Sequence, residues 1–388
     1  MKKTLVALAA IASVSAFAQT TVSITGNLDF AGARFGGTMS GNKGTTFTTG
    51  NGTASTSSIN FTATEDIGGG SKITAFYGLD PRTFSNDGTT STNIVGSTTT
   101  GANAVTVTGI GRHEAYVQAS GGFGSIKLGA PNAMGLDANG IGNPLGTGIG
   151  SGYATNSNTL MSRAAASRYS RSARYDSPVM NGFSAHFLFA PGGDQANVND
   201  ASSTYGAFQF PNARRATELA LRYSNGPLNL IAVNIRGAAM TNVAGYYAYS
   251  NEGVTTTAIA STNYNTVAAN YKLGDTTIYT QMGSGGSINV LAVAASLASD
   301  KSSRYGVKHS MGPIDLSVAY TKVMTTTVVL AGATVNQIVT GFNGTYNLSK
   351  TSAVYLGYEK YDSGTVGVTT NTTSGARTIT SLGLRKSF

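Results

Sequence analysis

The chain has 388 residues, a formal net charge of +9 at pH 7, and only 11% charged residues. It contains no cysteine, which excludes disulfide bonds and thiol nucleophiles. Its 50 glycines are mixed with Thr, Ser, Asn and β-forming residues, so the mean hydropathy is −0.03 without long apolar blocks. This composition predicts an all-β protein, and the lack of Lys/Arg tracts argues against nucleic-acid binding.

Residues 1–18 have the pattern of a cleaved signal peptide. Lys2 and Lys3 form the basic start, and a short apolar run over residues 5–14 follows. Ala16-Phe17-Ala18 then supplies a small-x-small cleavage site. The apolar run is too short to cross a membrane as a helix. We therefore expect export and a mature domain of residues 19–388.

From residue 20 onward, polar and apolar residues alternate with the period of a β-strand. Strands are predicted over residues 20–35, 55–67, 71–82, 111–119, 124–130, 167–179, 183–190, 213–224, 227–237, 263–273, 276–283, 302–310, 313–323, 336–348, 351–361 and 377–388. Short turns join them in pairs at residues 68–70, 120–123, 181–182, 225–226, 274–275, 311–312 and 349–350. About eight long polar loops alternate with these turns.

The connections decide the predicted architecture. Seven short turns alternating with about eight long loops require roughly sixteen strands, with both termini on the short-turn side. This one-sided asymmetry is typical of an outer-membrane protein, so we predict a 16-stranded antiparallel transmembrane β-barrel. Side chains cannot fill a barrel of that width, and a water-filled channel is expected.

In such a barrel the apolar set of each strand faces lipid and the polar set faces water. For two strands, the residues assigned to lipid are Leu219, Leu221, Tyr223, Ile231, Val233 and Ile235. Those assigned to water are Glu218, Ala220, Arg222, Asn234 and Arg236. Aromatic residues near strand ends suit interfacial girdles: Tyr175, Phe183, Tyr223, Tyr271, Tyr320, Tyr346, Tyr358 and Phe388.

The last predicted strand ends on an aromatic residue with no tail after it. A soluble sandwich would blunt such an edge with polar residues. We instead predict that this strand closes the barrel by pairing with the first strand, so that no edge remains. The residues assigned to this closure are Phe388, Leu384, Leu382, Val22 and Ile24.

Five motifs, in this order, resemble the Gram-negative general porins of the β-proteobacterial and neisserial type. They are VSITGNLD (22–29), TEDIGGG (64–70), GFGSIKLG (122–129), RYDSP (174–178) and the terminal Phe388. The resemblance spans the mature chain. It implies an outer-membrane homotrimer in contact with lipid and lipopolysaccharide, and insertion by the assembly machinery guided by the C-terminal strand. It also implies a third loop, residues 131–166, folded into the lumen as a constriction.

The chain departs from that family where an Arg usually follows the Leu-Gly before the third loop, since Ala130 stands there. Basic residues cluster instead after this loop, and Arg168 and Arg174 share a strand face with Ser172. The candidate pore-lining residues are Arg82, Arg112, Lys127, Asp137, Arg163, Arg168, Arg174 and Arg222. Such a cationic ring predicts a weakly anion-preferring channel for small hydrophilic solutes and ions. Alternatively, the arginines pair with loop acids or solvate a rim.

Three other functions compete with this interpretation. One is a channel specific for a sugar or an anion; a sugar-specific channel would need a row of aromatic side chains along the lumen, and Tyr is plentiful but Trp is absent. A Thr/Gly-rich adhesin would not need tight turns alternating with long loops. An enzyme is disfavoured, because outer-membrane barrels with a Ser/His/acid site have fewer strands than the length of this chain predicts. His113, His186 and His309 have no metal-site spacing, and no cofactor or metal is predicted.

Overall fold

The structure is a computed structural model that describes residues 20–37, 44–47, 53–79, 113–151, 168–169, 171–191, 216–237, 262–289, 296–327, 334–366 and 375–388. The predicted signal peptide, residues 1–18, lies outside these ranges. No helix in the described part of the chain is long and apolar enough to cross a membrane.

The described residues form β-strands and one short helix. The strands are β1 (Thr21–Gly37), β2 (Gly44–Phe47), β3 (Ser58–Gly68), β4 (Ser71–Leu79), β5 (Ala115–Gly121), β6 (Gly124–Ala130), β7 (Ser172–Asp176), β8 (Phe183–Ala190), β9 (Ala216–Asn225), β10 (Leu228–Gly237), β11 (Thr262–Leu273), β12 (Thr276–Asn289), β13 (Ser296–Met311), β14 (Ile314–Thr327), β15 (Thr334–Asn347), β16 (Ser352–Val366) and β17 (Gly375–Ser387). The helix, α1 (Met134–Ile141), lies between β6 and β7.

Each strand pairs antiparallel with its neighbours, and β1 pairs with β17, which closes the sheet. Both β2 and β3 pair with β1, opposite residues 32–35 and 21–27 respectively. They therefore share one position in the wall, and the barrel has sixteen strand positions around its circumference. This confirms the predicted sixteen-stranded antiparallel barrel.

All seven predicted short turns are present and join consecutive strands. The turn at Asn181 and Gly182 has positive φ at both residues, 51° and 86°. Two left-handed residues give a turn whose twist matches that of the flanking strands, which explains the Asn-Gly sequence. The turns lie at one end of the barrel, as the predicted asymmetry requires.

The closing seam includes Phe388. Phe388 donates its backbone N–H to the carbonyl of Gly26 at 3.0 Å, and Gly26 donates back at 2.9 Å. Leu384 and Leu382 lie on this seam, on the outer face. The assignment of Val22 and Ile24 to it was wrong: both pair with β3, whereas β17 pairs with residues 27–37 of β1.

The register divides every strand between an outer and an inner face. Leu219 and Leu221 are exposed on the outer face, as predicted. The eight aromatic residues proposed for girdles also occupy outer positions. On β10 the prediction was wrong, because the apolar side chains there, Ile231, Val233 and Ile235, are buried on the inner face. Asn234 and Arg236 point outward on that strand, since the inner wall there is covered by α1.

Candidate functional site: the lumen and its constriction

Residues 133–151 lie inside the barrel and carry α1. The helix packs against β9, β10 and β11. Met134 and Ala138 are fully buried in one apolar cluster with Ile231, Ile235 and Ala268 from the wall. Burial of apolar side chains on both surfaces holds the inner loop to this wall. Hereafter, residues 133–151 are called the inner loop.

The N-terminus of α1 has no capping side chain of its own. The carboxylate of Glu218, on β9, accepts the backbone N–H groups of Met134 at 2.6 Å and Gly135 at 3.1 Å. The same carboxylate accepts the hydroxyl of Tyr169 at 3.0 Å. A wall residue therefore satisfies the free N–H groups and complements the positive end of the helix dipole.

A buried arginine binds both the inner helix and the last residue of the inner loop. Arg304, on β13, is 1% exposed. Its Nη1 donates to Oδ1 of Asn139 at 2.6 Å, and its Nη2 donates to the carbonyl of Ser151 at 2.5 Å. Two wall side chains, Gln281 and Thr321, accept its remaining hydrogen bonds. This charge is therefore compensated by hydrogen bonds from several directions, as buried charges require.

A third buried group holds the far end of the inner loop. The carboxylate of Glu359, on β16, accepts the backbone N–H of Gly150 at 2.6 Å. Gly150 has φ +77°, and a Cβ there would lie 2.3 Å from the Cα of Gly341 on the wall. Only glycine fits this approach. The inner loop is thus anchored to three strands of the wall, through Glu218 on β9, Arg304 on β13 and Glu359 on β16.

Beside the inner helix, β6 to β8 carry a charged cluster. Arg174 pairs with Asp137 of α1 and with Asp176, each at 2.8 Å. Lys127 lies 3.5 Å from Asp176 and 5.3 Å from the ring centroid of Tyr116. The cluster joins the wall to the inner helix, because Arg174 bridges an acid from each.

Asp137 is the acid that the inner loop contributes to this cluster. Burial raises the pKa of its carboxyl above the usual range, and the neighbouring Arg174 partly opposes that rise. Burial disfavours the charged form of an acid, so Asp137 takes up a proton at a higher pH than an exposed aspartate does.

Further cations face inward close to the short turns: Lys72, Arg222, Lys272, Lys308 and Arg385. Lys308 pairs with Asp315 at 3.3 Å. Within the described ranges the other four make no ion pair, although Asp66 lies across from Lys72 and Asp29 across from Arg385. These four cations outnumber the two acids that lie across from them, so the described residues give the short-turn end of the lumen an excess of positive charge.

The structure places Lys127, Arg174 and Arg222 on the inner wall and Asp137 on α1. Arg168 forms an isolated bridge with Asn132 rather than lying on a strand with Arg174, because β7 begins only at Ser172. The remaining predicted pore residues, Arg82, Arg112 and Arg163, lie outside the described ranges.

Sequence reasoning missed Arg304 and Glu359, which hold the inner loop, and did not give Glu218 that role. Each is a charged residue in the inward-facing set of its strand, and the sequence does not distinguish it from other inward-facing charges such as Arg222 and Lys308. Within the described ranges, no three metal-ligating side chains come together.

A family model described as Gram-negative porin matches residues 4–365. Among solved structures, an anion-selective porin from Comamonas acidovorans is similar at 19% identity and a TM-score of 0.65, covering 95% of this chain and 100% of that one. The trimer form of OmpT, an outer membrane protein of Vibrio cholerae, has 14% identity and a TM-score of 0.64 over 95% and 99%. Salmonella typhi OmpF has 10% identity and a TM-score of 0.58 over 95% and 97%. No curated protein sequence matches this chain.

Proposed function

This chain belongs to the Gram-negative porin family and forms a passive diffusion channel in the outer membrane, and from that premise we propose that the channel weakly prefers anions. The family is one of channels, and the proposal assigns no catalytic step. The solutes are small hydrophilic molecules and ions that cross the water-filled lumen.

One observation carries the ion preference. Lys72, Arg222, Lys272 and Arg385 face the lumen without an ion pair among the described residues, and they outnumber the two acids that lie across from them, Asp66 and Asp29. Fixed charge of one sign along a narrow channel raises the local concentration of the opposite ion. The similar Comamonas acidovorans protein is itself named an anion-selective porin, which supports the same sign.

The test is the reversal potential of the purified channel in a planar bilayer with a KCl gradient. An anion-preferring channel gives a potential of the sign set by chloride, and this potential shrinks as salt rises, because salt screens fixed charges. A potential of the sign set by potassium would reject the proposal, and so would a potential of zero at low salt.

We further propose that the channel is a homotrimer, because part of its wall is too low to face lipid. The strands β5 and β6 have 7 residues each. At about 3.3 Å per residue and a tilt of about 40°, each rises only about 18 Å, less than the apolar band of about 25 Å. On their outer faces Val117 is 54% and Leu128 57% exposed. A neighbouring copy would cover them, and a similar solved protein is described in a trimer form.

The taller wall is proposed to face lipid and lipopolysaccharide. The strands β12 to β16 have 14 to 16 residues. Such strands are long enough to cross the apolar band. We also propose that the outer-membrane assembly machinery inserts the barrel, and that it recognises the terminal strand β17 with Phe388.

A further inference from the structure

The second strand position of the barrel, shared by β2 and β3, is interrupted. Its two parts, β2 and β3, pair with residues 32–35 and 21–27 of β1, and in this register residues 28–31 lie opposite neither. The hydroxyl of Ser57 accepts the backbone N–H of Asp29 at 3.0 Å, so a side chain supplies the ladder partner there. Residues 53–57, which precede β3, are called the inner segment.

The inner segment lies inside the barrel, held by a buried carboxylate. Asp29 is 0% exposed, and its Oδ2 accepts the backbone N–H groups of Ala54 at 3.1 Å and Ser55 at 2.6 Å. Its Oδ1 accepts the hydroxyl of Tyr355, on β16, at 2.5 Å. An anion that accepts several short hydrogen bonds fixes its donors firmly, since charge-assisted bonds are the strong ones.

Two further contacts tie the inner segment to the opposite side of the seam. Thr53 donates its backbone N–H to the Tyr355 hydroxyl at 2.9 Å. The hydroxyl of Thr53 also donates to that of Ser381, on β17, at 2.6 Å. The inner segment is therefore hydrogen-bonded to β1, β16 and β17, the three neighbouring strands at the closing seam of the barrel.

The inner segment also contacts the end of the inner loop. Ile149 donates its backbone N–H to the carbonyl of Thr53 at 2.7 Å, and Thr56 donates to the hydroxyl of Thr147 at 3.3 Å. A Cβ on Gly148 would lie 2.9 Å from the carbonyl oxygens of Thr53 and Ala54. The two pieces of chain are thus closely packed and share hydrogen bonds.

We propose that the inner segment is a second element of the constriction, and that Asp29 is the residue that positions it. Ala54, Ser55 and Thr56 stay half-exposed, so they line the lumen beside the inner loop. The segment narrows the channel along β16, β17 and β1, and it fixes the far end of the inner loop. This inference rests on the channel function but is independent of which ion the channel prefers.

The first test compares Asp29→Asn with Asp315→Asn. Asp315 also faces inward and loses the same charge, but its described partners are Lys308, Ser310 and Asn347, outside both constriction elements. Asp29→Asn should raise single-channel conductance about 1.5-fold or more, and should admit larger sugars in liposome swelling. Asp315→Asn should leave the sugar cutoff unchanged. Equal conductance and equal cutoff in the two variants would overturn the proposal.

A disulfide supplies the second test, because the chain has no native cysteine. The hydroxyl of Ser55 lies 3.3 Å from Oδ1 of Asn27, so Asn27→Cys with Ser55→Cys should tether the segment to β1. In the Asp29→Asn background, oxidation should return conductance to the native value and reduction should raise it again. A bond that does not form in the otherwise native channel would also overturn the proposal, even if Asp29→Asn failed to fold. The ion preference is read separately, from the reversal potential.

Discussion

Arg304 on the barrel wall donates a 2.6 Å hydrogen bond from Nη1 to Oδ1 of Asn139 on the inner helix. The same guanidinium reaches the carbonyl of Ser151, near the other end of the inner loop. One buried charge therefore sets the position of the loop that narrows the lumen, although it lies behind that loop and not in the open channel.

Replacing this guanidinium should loosen the loop without opening the barrel. We expect Arg304→Met to cost about 2–3 kcal/mol, because buried hydrogen bonds to a charged group are lost. Channel current should become noisier, and the heat-induced mobility shift on semi-native gels should occur at a lower temperature. Lys308→Met, on the same strand, removes an equal charge from a half-exposed ion pair and should change stability by less than about 1 kcal/mol. Equal losses in both variants would contradict the assigned anchor.

Glu218 and Tyr169 should show energetic coupling. Their side chains share a 3.0 Å hydrogen bond at the start of α1. In a double-mutant cycle with Glu218→Gln and Tyr169→Phe, the unfolding free energies should be non-additive by about 1 kcal/mol. Denaturant unfolding of the four proteins in detergent gives the cycle. Strict additivity would show that the two side chains do not interact.

The ion preference should fall when an unpaired lumen cation is removed. Arg222→Gln should reduce the chloride-to-potassium permeability ratio, because less positive charge faces the lumen. Lys322→Gln is the matched control, since Lys322 lies on the outer face of β14 and its loss should leave the ratio unchanged. The reversal potential in a KCl gradient measures both. A change in the control alone would place the selecting charge elsewhere.

The anion preference should grow as pH falls. Burial raises the pKa of Asp137, so this carboxyl is neutralised at a higher pH than an ordinary aspartate. Each protonation removes a negative charge from the lumen and releases part of the charge of Arg174. Reversal potentials between pH 7 and pH 4 should show the rise. Asp137→Asn should prefer anions more at pH 7 and respond less to acid; an unchanged response would assign the titration to other groups.

An outer-face charge should act differently on the short and tall walls. Val117→Arg, on β5, should dissociate trimers into monomers under mild detergent, because this face is proposed to contact a second copy. Val318→Arg, on β14, should instead impair insertion, since a cation in the lipid-facing band costs about 2–4 kcal/mol. Chemical cross-linking and membrane fractionation distinguish these outcomes. Trimers that persist in the Val117 variant would place the interface elsewhere.

Several features could be predicted from the sequence because they depend on local chemistry. Turn residues such as Asn181-Gly182 mark the short connections, and their alternation with long loops gives the strand count. The alternation of the terminal strand predicts the seam, although the exact register of that strand on β1 comes only from the structure. The signal for the inward face of Arg174 and Arg222 was also local, since each alternates with apolar or small outer neighbours.

The tertiary structure alone decided which face of β10 is inside. A period of two separates Ile231, Val233 and Ile235 from Asn234 and Arg236, but it does not orient them. Once α1 lies on the inner wall, apolar side chains there are buried by the protein itself, so the inner face can be the apolar one. The inner segment was equally invisible, because Asp29 meets Ala54 and Tyr355 only after closure brings β1 and β16 to either side of β17.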